Sequence, residues 1–338
     1  MSQPPEPGPH NDGPDEPQQP EPQAAPEPQA APEPPFGGLP SFPGVGWDPA
    51  QAADPGYGLP YGLPRFDPAD PLVSDSFSGW WQRGFAVVRR GWRPLLLCQA
   101  VVTVAALALL IPVQIFTDLS TRDLVADAAR TGEPDFGGTF FPTMGLSMVG
   151  VLCAYLITAV GTLVTARIVV TVATGGAPRL GSTVRSVLPR VPALVGWSVV
   201  AGLICVAALL ACFLPVIYVG AVFALLPAVV LFEPGSGVSR CFSLFHADLG
   251  AAVGRIATTV ALSFGLALPF GVLSAVAGFL VSGPTASTGA VIAGTAISTV
   301  LSQLGTMIAG VVVTPLIVAT YADLRARKEP FSTALLIG

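Results

Sequence analysis

The chain has 338 residues, 51% of them hydrophobic and only 11% charged, with a mean hydropathy of +0.65. Soluble domains carry about 25% charged residues, so the composition excludes a water-soluble globular enzyme and indicates an integral membrane protein. Charge is divided unevenly: residues 1–71 hold eleven acids and one base, and the remainder ten acids and fifteen bases. The net charge of −5 is therefore −10 from the tail and +5 from the membrane part, and no nucleic-acid partner is expected. Fifteen arginines against one lysine, with abundant Ala, Gly, Pro and Val, point to a bacterial genome rich in GC.

Residues 1–74 form an acidic, proline-rich tail. Twenty-one of the 35 prolines precede residue 72. Proline fixes φ and removes a backbone donor, so neither helix nor sheet propagates here, and disorder with polyproline II character is expected. The tail has neither a basic start nor an apolar run, so no signal peptide is expected. It reads as a solvated cytoplasmic spacer or as a docking tail for a cytosolic protein partner, with Phe36, Trp47, Tyr57 and Tyr61 as aromatic contact points.

The membrane domain is predicted over residues 75–332, followed by a short C-terminal end, 333–338. Asp75 or Ser76 caps an amphipathic surface helix through residue 93. In it Trp80, Trp81 and Trp92, with Arg89 and Arg90, suit the headgroup layer as interfacial anchors. The first span is predicted at 94–116, and 117–142 is read as the longest loop, with one short helix from Ser120. Further spans follow at about 144–174, 193–213, 215–232, 256–281 and 290–320. A tight turn at Leu214–Pro215 joins the third and fourth, which alternatively form one re-entrant pair. The fourth is an uncharged run of eighteen residues, Pro215 to Phe232. It ends at Glu233 and a turn containing Gly235, and Arg240 then opens a second amphipathic surface piece.

These boundaries give an all-α, six-span protein with interfacial helices. Thirteen basic residues flank one face: Arg83, Arg89, Arg90, Arg93, Arg167, Arg179, Arg185, Arg190, Arg240, Arg255, Arg325, Arg327 and Lys328. Only Arg122 and Arg130 flank the other. That bias predicts cytoplasmic N- and C-termini in a bacterial plasma membrane. Small residues spaced by four, from Ala290 through Gly294, Ser298, Ser302, Thr306 and Gly310 to Thr314, predict a close-packing ridge on the sixth span.

Chemistry is sparse. The two histidines are His10, in the tail, and His246, at the membrane edge beside Asp248. This excludes His-paired triads and most histidine metal sites. No phosphate-binding Gly-x-x-x-x-Gly-Lys motif occurs. Five scattered cysteines, without a Cys-x-x-Cys pair, read as buried hydrophobes. No catalytic, cofactor-binding or metal site is expected. The polar residues set deep in the spans are Gln99, Gln114 and Gln303. Glu233, Arg240, Asp323 and Arg325 fall at the inner boundary and are candidate structural ion-pair residues, with Arg325 predicted to tie the sixth span to the Glu233 turn.

Three features together carry a family resemblance. They are Glu233 with its glycine-containing turn, the segment Arg240-Cys241-Phe242-x-Leu244, and the closing Tyr321-Ala-Asp323-Leu324-Arg325-Ala-Arg327-Lys328-Glu329. Residues 76–332 resemble the membrane domain of bacterial glycerophosphoryl diester phosphodiesterases, a six-span region sometimes fused to a phosphodiesterase domain. Cys241 and Phe242 stand where that pattern has Ser and Trp, and Pro330 where it has Gly. No catalytic phosphodiesterase domain is recognisable in the sequence, so the resemblance implies a membrane module without that activity. The expectation is a non-enzymatic module that organises partners or lipids of the bilayer at the cytoplasmic face. The alternative is a permease or exporter for an uncharged or amphiphilic compound.

Overall fold

The computed structural model describes residues 67–132, 138, 140–281 and 286–337. The docking-tail reading, with its four aromatic contact points, lies outside the described residues, as do 133–137 and 139 of the predicted loop and 282–285, between the fifth and sixth predicted spans. Among the described residues there are nine α-helices and no strand. They are α1 (Phe77–Thr131), α2 (Phe141–Ala173), α3 (Leu180–Val187), α4 (Val191–Ala211), α5 (Phe213–Phe223), α6 (Leu226–Phe232), α7 (Val238–Phe245), α8 (Leu249–Val281) and α9 (Thr288–Lys328). Six segments among them are long and apolar enough to cross a membrane: Phe77–Thr131, Phe141–Ala173, Leu180–Ala211, Phe213–Phe232, Leu249–Leu280 and Thr288–Lys328.

Several boundaries differ from the sequence-based expectation, each for a local reason. The first surface helix and first span are one continuous helix, bent where Gly91 leaves helical geometry (φ −106°, ψ 15°). Pro94 supplies no N–H to the Arg90 carbonyl, which weakens the helix at that turn. No proline or glycine occurs between Pro112 and Gly132, so α1 runs on through most of the predicted loop. It stops only at Gly132, whose φ of 83° and N–H to the Ala128 carbonyl (2.9 Å) form a left-handed cap.

The turn between the third and fourth spans sits at Cys212, in extended geometry, two residues before Leu214. The fourth span is broken at Ala224–Leu225, because Pro227 cannot bond back to Phe223. The α4 and α5–α6 segments are each long enough to cross, rather than one re-entrant pair. Asp248 accepts from the Ala251 N–H (3.0 Å), an N-cap that starts α8 at Leu249 and brings Arg255 inside the helix. At the other end of the chain α9 continues through the closing motif to Lys328. Glu329 turns extended, as expected of a residue before proline.

The helix α9 packs along both α1 and α8, and α1 packs also on α2. Helices α4 and α5 form a hairpin, and α6 touches α2, α4, α7 and α9. Part of the predicted small-residue ridge faces the bundle. Gly294 is buried, Ser298 accepts through its carbonyl from Ser274 (2.9 Å), and a Cβ on Gly310 would stand 2.9 Å from the Gln99 amide. Ser302 and Thr306 are exposed, and Gly305 and Ala309 take the buried face instead.

Burial is concentrated at one end. Trp80, Leu163, Ile168, Leu225, Leu244, Leu316, Tyr321 and Leu324 are sealed there. At the opposite end Leu210 is 83% and Phe279 85% exposed. The packed end also extends past the predicted domain limits. Leu72 and Val73, assigned to the tail on sequence, are buried, as are Thr333 and Leu336 near the C-terminus.

Candidate functional site

The polar groups of the packed end form two networks and a strap. The first network centres on Asp323 of α9, which has no exposed surface and pairs with Arg255 of α8, itself 2% exposed. Arg327, one turn after Asp323, donates from Nε to its Oδ2 (2.9 Å). The Arg327 guanidinium also reaches Asp248 and the Asp75 carbonyl (2.9 Å). The Ser74 N–H donates to Asp323 Oδ1 at 3.2 Å. Two carboxylates thus meet two guanidiniums, which offsets the desolvation that burial imposes on each. Trp80 closes this network from α1. Its ring lies 6.0 Å from the Arg255 guanidinium, and its Nε1–H donates to the Leu316 carbonyl at 3.3 Å.

The second network centres on Glu233, at the C-terminal end of α6. Arg240 of α7 donates from Nε to Glu233 Oε2 (2.5 Å) and from Nη2 to Glu329 Oε1 (2.8 Å). Arg325 bonds Glu329 at 2.5 Å, and its Nε stands 3.7 Å from Glu233 Oε1. The Tyr321 hydroxyl donates to Glu233 Oε1 (2.8 Å) and accepts from Arg325 (3.0 Å). Gly235, at φ 80°, allows the turn that brings Arg240 back onto Glu233.

The strap joins the two described ends of the chain. Asp70 accepts from the Leu72 and Val73 N–H groups (2.9 Å each) and from the Thr333 N–H (2.7 Å) and hydroxyl (2.5 Å). Arg167 holds the last turn through the Leu336 and Ile337 carbonyls (2.5 and 2.8 Å).

Charge shifts outside the spans follow from these contacts. Burial works against the Glu329 carboxylate, but bonds from Arg325 and Arg240 hold its pKa below the ordinary value. The Ala251 N–H, against partial burial, lowers Asp248, and Arg327 adds to the effect. Burial, reinforced by the Glu233 charge, pushes the Cys241 thiol up to about 12, so at neutral pH it is a packed, protonated group.

The predicted ion-pair residues divide between the networks. Glu233, Arg240 and Arg325 come together, with Arg240 taking the nearer place on Glu233. Asp323 belongs to the other network, with Arg255. Sequence reasoning missed Arg255, Asp248, Arg327, Tyr321, Asp70 and Thr333. The predicted anchors also divide. Trp92 is 51% exposed, Arg89 and Arg90 are exposed, and Trp81 is half-buried with its ring 4.5 Å from that of Phe85. Trp80 is no interfacial anchor: it is fully buried because its N–H has a protein carbonyl to bond. His246 does not pair with Asp248. Its ring bonds the Phe242 carbonyl (2.7 Å) and Tyr218 (3.0 Å), while Asp248 is taken by Arg327.

Deeper in the bundle Gln99 donates to Thr165 (3.2 Å). A cavity of about 300 Å³ lies between α1, α2 and α3, with an almost wholly apolar lining. Among the described residues no group of three or more His, Cys, Asp or Glu side chains is arranged to hold a metal ion. No protein-family model, curated protein or solved structure matches the chain.

Proposed function

We propose that the chain is a multi-pass protein of a bacterial plasma membrane with both ends cytoplasmic. Its ion-paired end is then the inner end and works as a non-enzymatic module that organises lipids or partner proteins. The observation that carries this reading is the meeting of the two described ends of the chain, bonded to each other through Asp70 and Thr333, at the end where Arg83, Arg167, Arg240, Arg255, Arg325 and Arg327 gather. An even number of spans returns the chain to the side on which it began, and arginine-rich flanks mark the cytoplasmic side. The resemblance to the phosphodiesterase membrane domain fits the same proposal, as a module rather than an enzyme. The permease reading asks for a polar path through the bundle. Gln99 offers none, being bonded to Thr165 and packed on Gly310.

Two measurements test the proposal. Single cysteines placed in a cysteine-free chain report orientation. From outside intact cells, residue 127 should label and residues 181 and 327 should not, and the reverse pattern would overturn the orientation. Affinity purification in mild detergent, with and without residues 1–66, should retain a defined protein partner or a selected lipid class. Retention of neither would overturn the organising role.

A further inference from the structure

The basic residues of the packed end fall into two groups. Arg240, Arg255, Arg325 and Arg327 are paired with carboxylates, and Arg83 and Arg167 bond carbonyls. Arg89 and Arg90 on α1, and Arg179, Arg185 and Arg190 on or beside α3, have no ion-pair or hydrogen-bond partner for their side chains among the described residues. Among the described residues, unpaired guanidiniums are thus confined to two elements, α1, where Arg93 lies only over the Trp92 ring, and the α3 segment. The same two elements, with α2, enclose the 300 Å³ apolar cavity, lined by Cys98, Val102 and Ala105 of α1, Gly161 of α2, and Leu180 and Val184 of α3.

Arg179 and Arg185 adjoin the two α3 lining residues, Leu180 and Val184, in sequence. Arg89 and Arg90 lie within three turns of Cys98. On α2 Gly161 keeps this region close to α1, since a Cβ there would stand 2.5 Å from Val102. The apolar slot reaches the surface at Val101, Ala105 and Val184, and the unneutralised arginines adjoin its lining in sequence. That pairing is complementary to one class of molecule, an amphiphile with a chain and an anion.

We propose that the α1–α2–α3 cavity binds one acyl chain of an anionic glycerophospholipid, whose phosphate is met by Arg179 and Arg185 of α3, with Arg89 and Arg90 of α1 completing the rim. The lipid itself is the occupant. A zwitterionic lipid would fill the slot but gain less from the rim, because its own ammonium offsets the phosphate. This rests on the orientation proposed above, which puts α3 at the inner leaflet.

The test uses the full chain in phosphatidylcholine vesicles containing a trace of phospholipid with a photoreactive diazirine in its acyl chain, either phosphatidylglycerol or phosphatidylcholine. Peptide mapping then locates the adducts. Adducts of the phosphatidylglycerol probe should concentrate in 98–105, 157–164 and 180–184, several-fold above the exposed faces of α4 and α8. Ala105→Trp, at an exposed position that fills the slot without entering the packed core, should remove that enrichment. Arg179→Glu with Arg185→Glu should reduce it for phosphatidylglycerol and leave phosphatidylcholine unchanged. Equal labelling of α4, α8 and the slot, or enrichment that survives Ala105→Trp, would overturn the site. Equal labelling by the two probes would overturn its preference for anions. Cysteine labelling at residue 181 reads orientation separately, so a failed orientation and a failed lipid site give different results.

Discussion

The two ends of this bundle are built on opposite principles. At one end Trp80, Tyr321, Phe245 and the charged pair Arg255–Asp323 are sealed from the surface. At the other Leu210, Phe213, Leu214, Phe279 and Leu280 are each at least two-thirds exposed. A soluble protein could not keep such an apolar end open. In a bilayer lipid tails are as apolar as leucine, so exposure there carries little cost and helices need only small-residue contacts to stay together. The packed end holds the buried charges and the bonded pair of described chain ends, and it satisfies them with side-chain networks. Individual side chains should therefore matter far more at the packed end than at the open one.

The largest loss should come from breaking the buried pair. Asp323→Ala leaves Arg255 buried without its carboxylate, and uncompensated buried charges of this kind cost about 3–5 kcal/mol. Thermal unfolding in detergent should show a large drop in midpoint, and a near wild-type midpoint would remove the Asp323 network from the account. Trp80→Ala should cost a similar ~3–5 kcal/mol through lost packing, whereas Trp92→Ala, at an exposed site, should stay within about 0.5 kcal/mol. Equal effects at the two tryptophans would erase the distinction between them.

Arg240→Ala should cost about 1.5–3 kcal/mol, the scale of a hydrogen bond to a charged group. The double swap Glu233→Arg with Arg325→Glu should recover little, because Arg240 and Glu329 remain and each then faces a like charge. Full recovery would mean that Arg325, not Arg240, is the principal partner of Glu233.

Acid should act on the same end. Asp248 and Glu329 have depressed pKa values in the folded protein. Their contribution is present at neutral pH and is lost as pH falls below about 4, the ordinary carboxylate range. Asp248→Asn with Glu329→Gln should flatten that part of the melting-temperature profile, and an unchanged slope would contradict the assignment. The smallest effect should be at the open end, where Leu210→Ala is expected to change stability by no more than about 0.5 kcal/mol.

Much of the fold could be read from the amino-acid order, because long uncharged runs record spans directly. The Glu233 turn and the return of Arg240 were equally readable, since both are local. The Asp323 network was not. Its partners Arg255 and Ser74 lie 68 and 249 residues away in sequence, and no periodicity records such a meeting. One local signal was overlooked. Asp248 before Leu249 is an N-cap, and reading it as one would have moved Arg255 from a flanking loop into a helix facing α9. Trp80 was ambiguous for a different reason: tryptophan suits both the headgroup layer and a buried site that supplies a carbonyl for its N–H. The pairing of Asp70 with Thr333 spans 263 residues, and nothing near either residue in sequence announces it.

The central claim is that α8 and α9 are joined at the packed end by a buried, mutually dependent charge pair. A double-mutant cycle on that pair tests it most directly, with Arg255→Met, Asp323→Leu and the two combined, each followed by thermal unfolding in detergent. Asp323→Leu should lose the most, because Arg255 is left buried without a carboxylate. Arg255→Met should lose less, because Asp323 keeps Arg327 and the Ser74 N–H. The double variant should lose less than the two single losses combined, because no unpaired Arg255 charge remains. A double variant whose loss equals the two single losses combined would show that Arg255 and Asp323 act independently and would contradict the account.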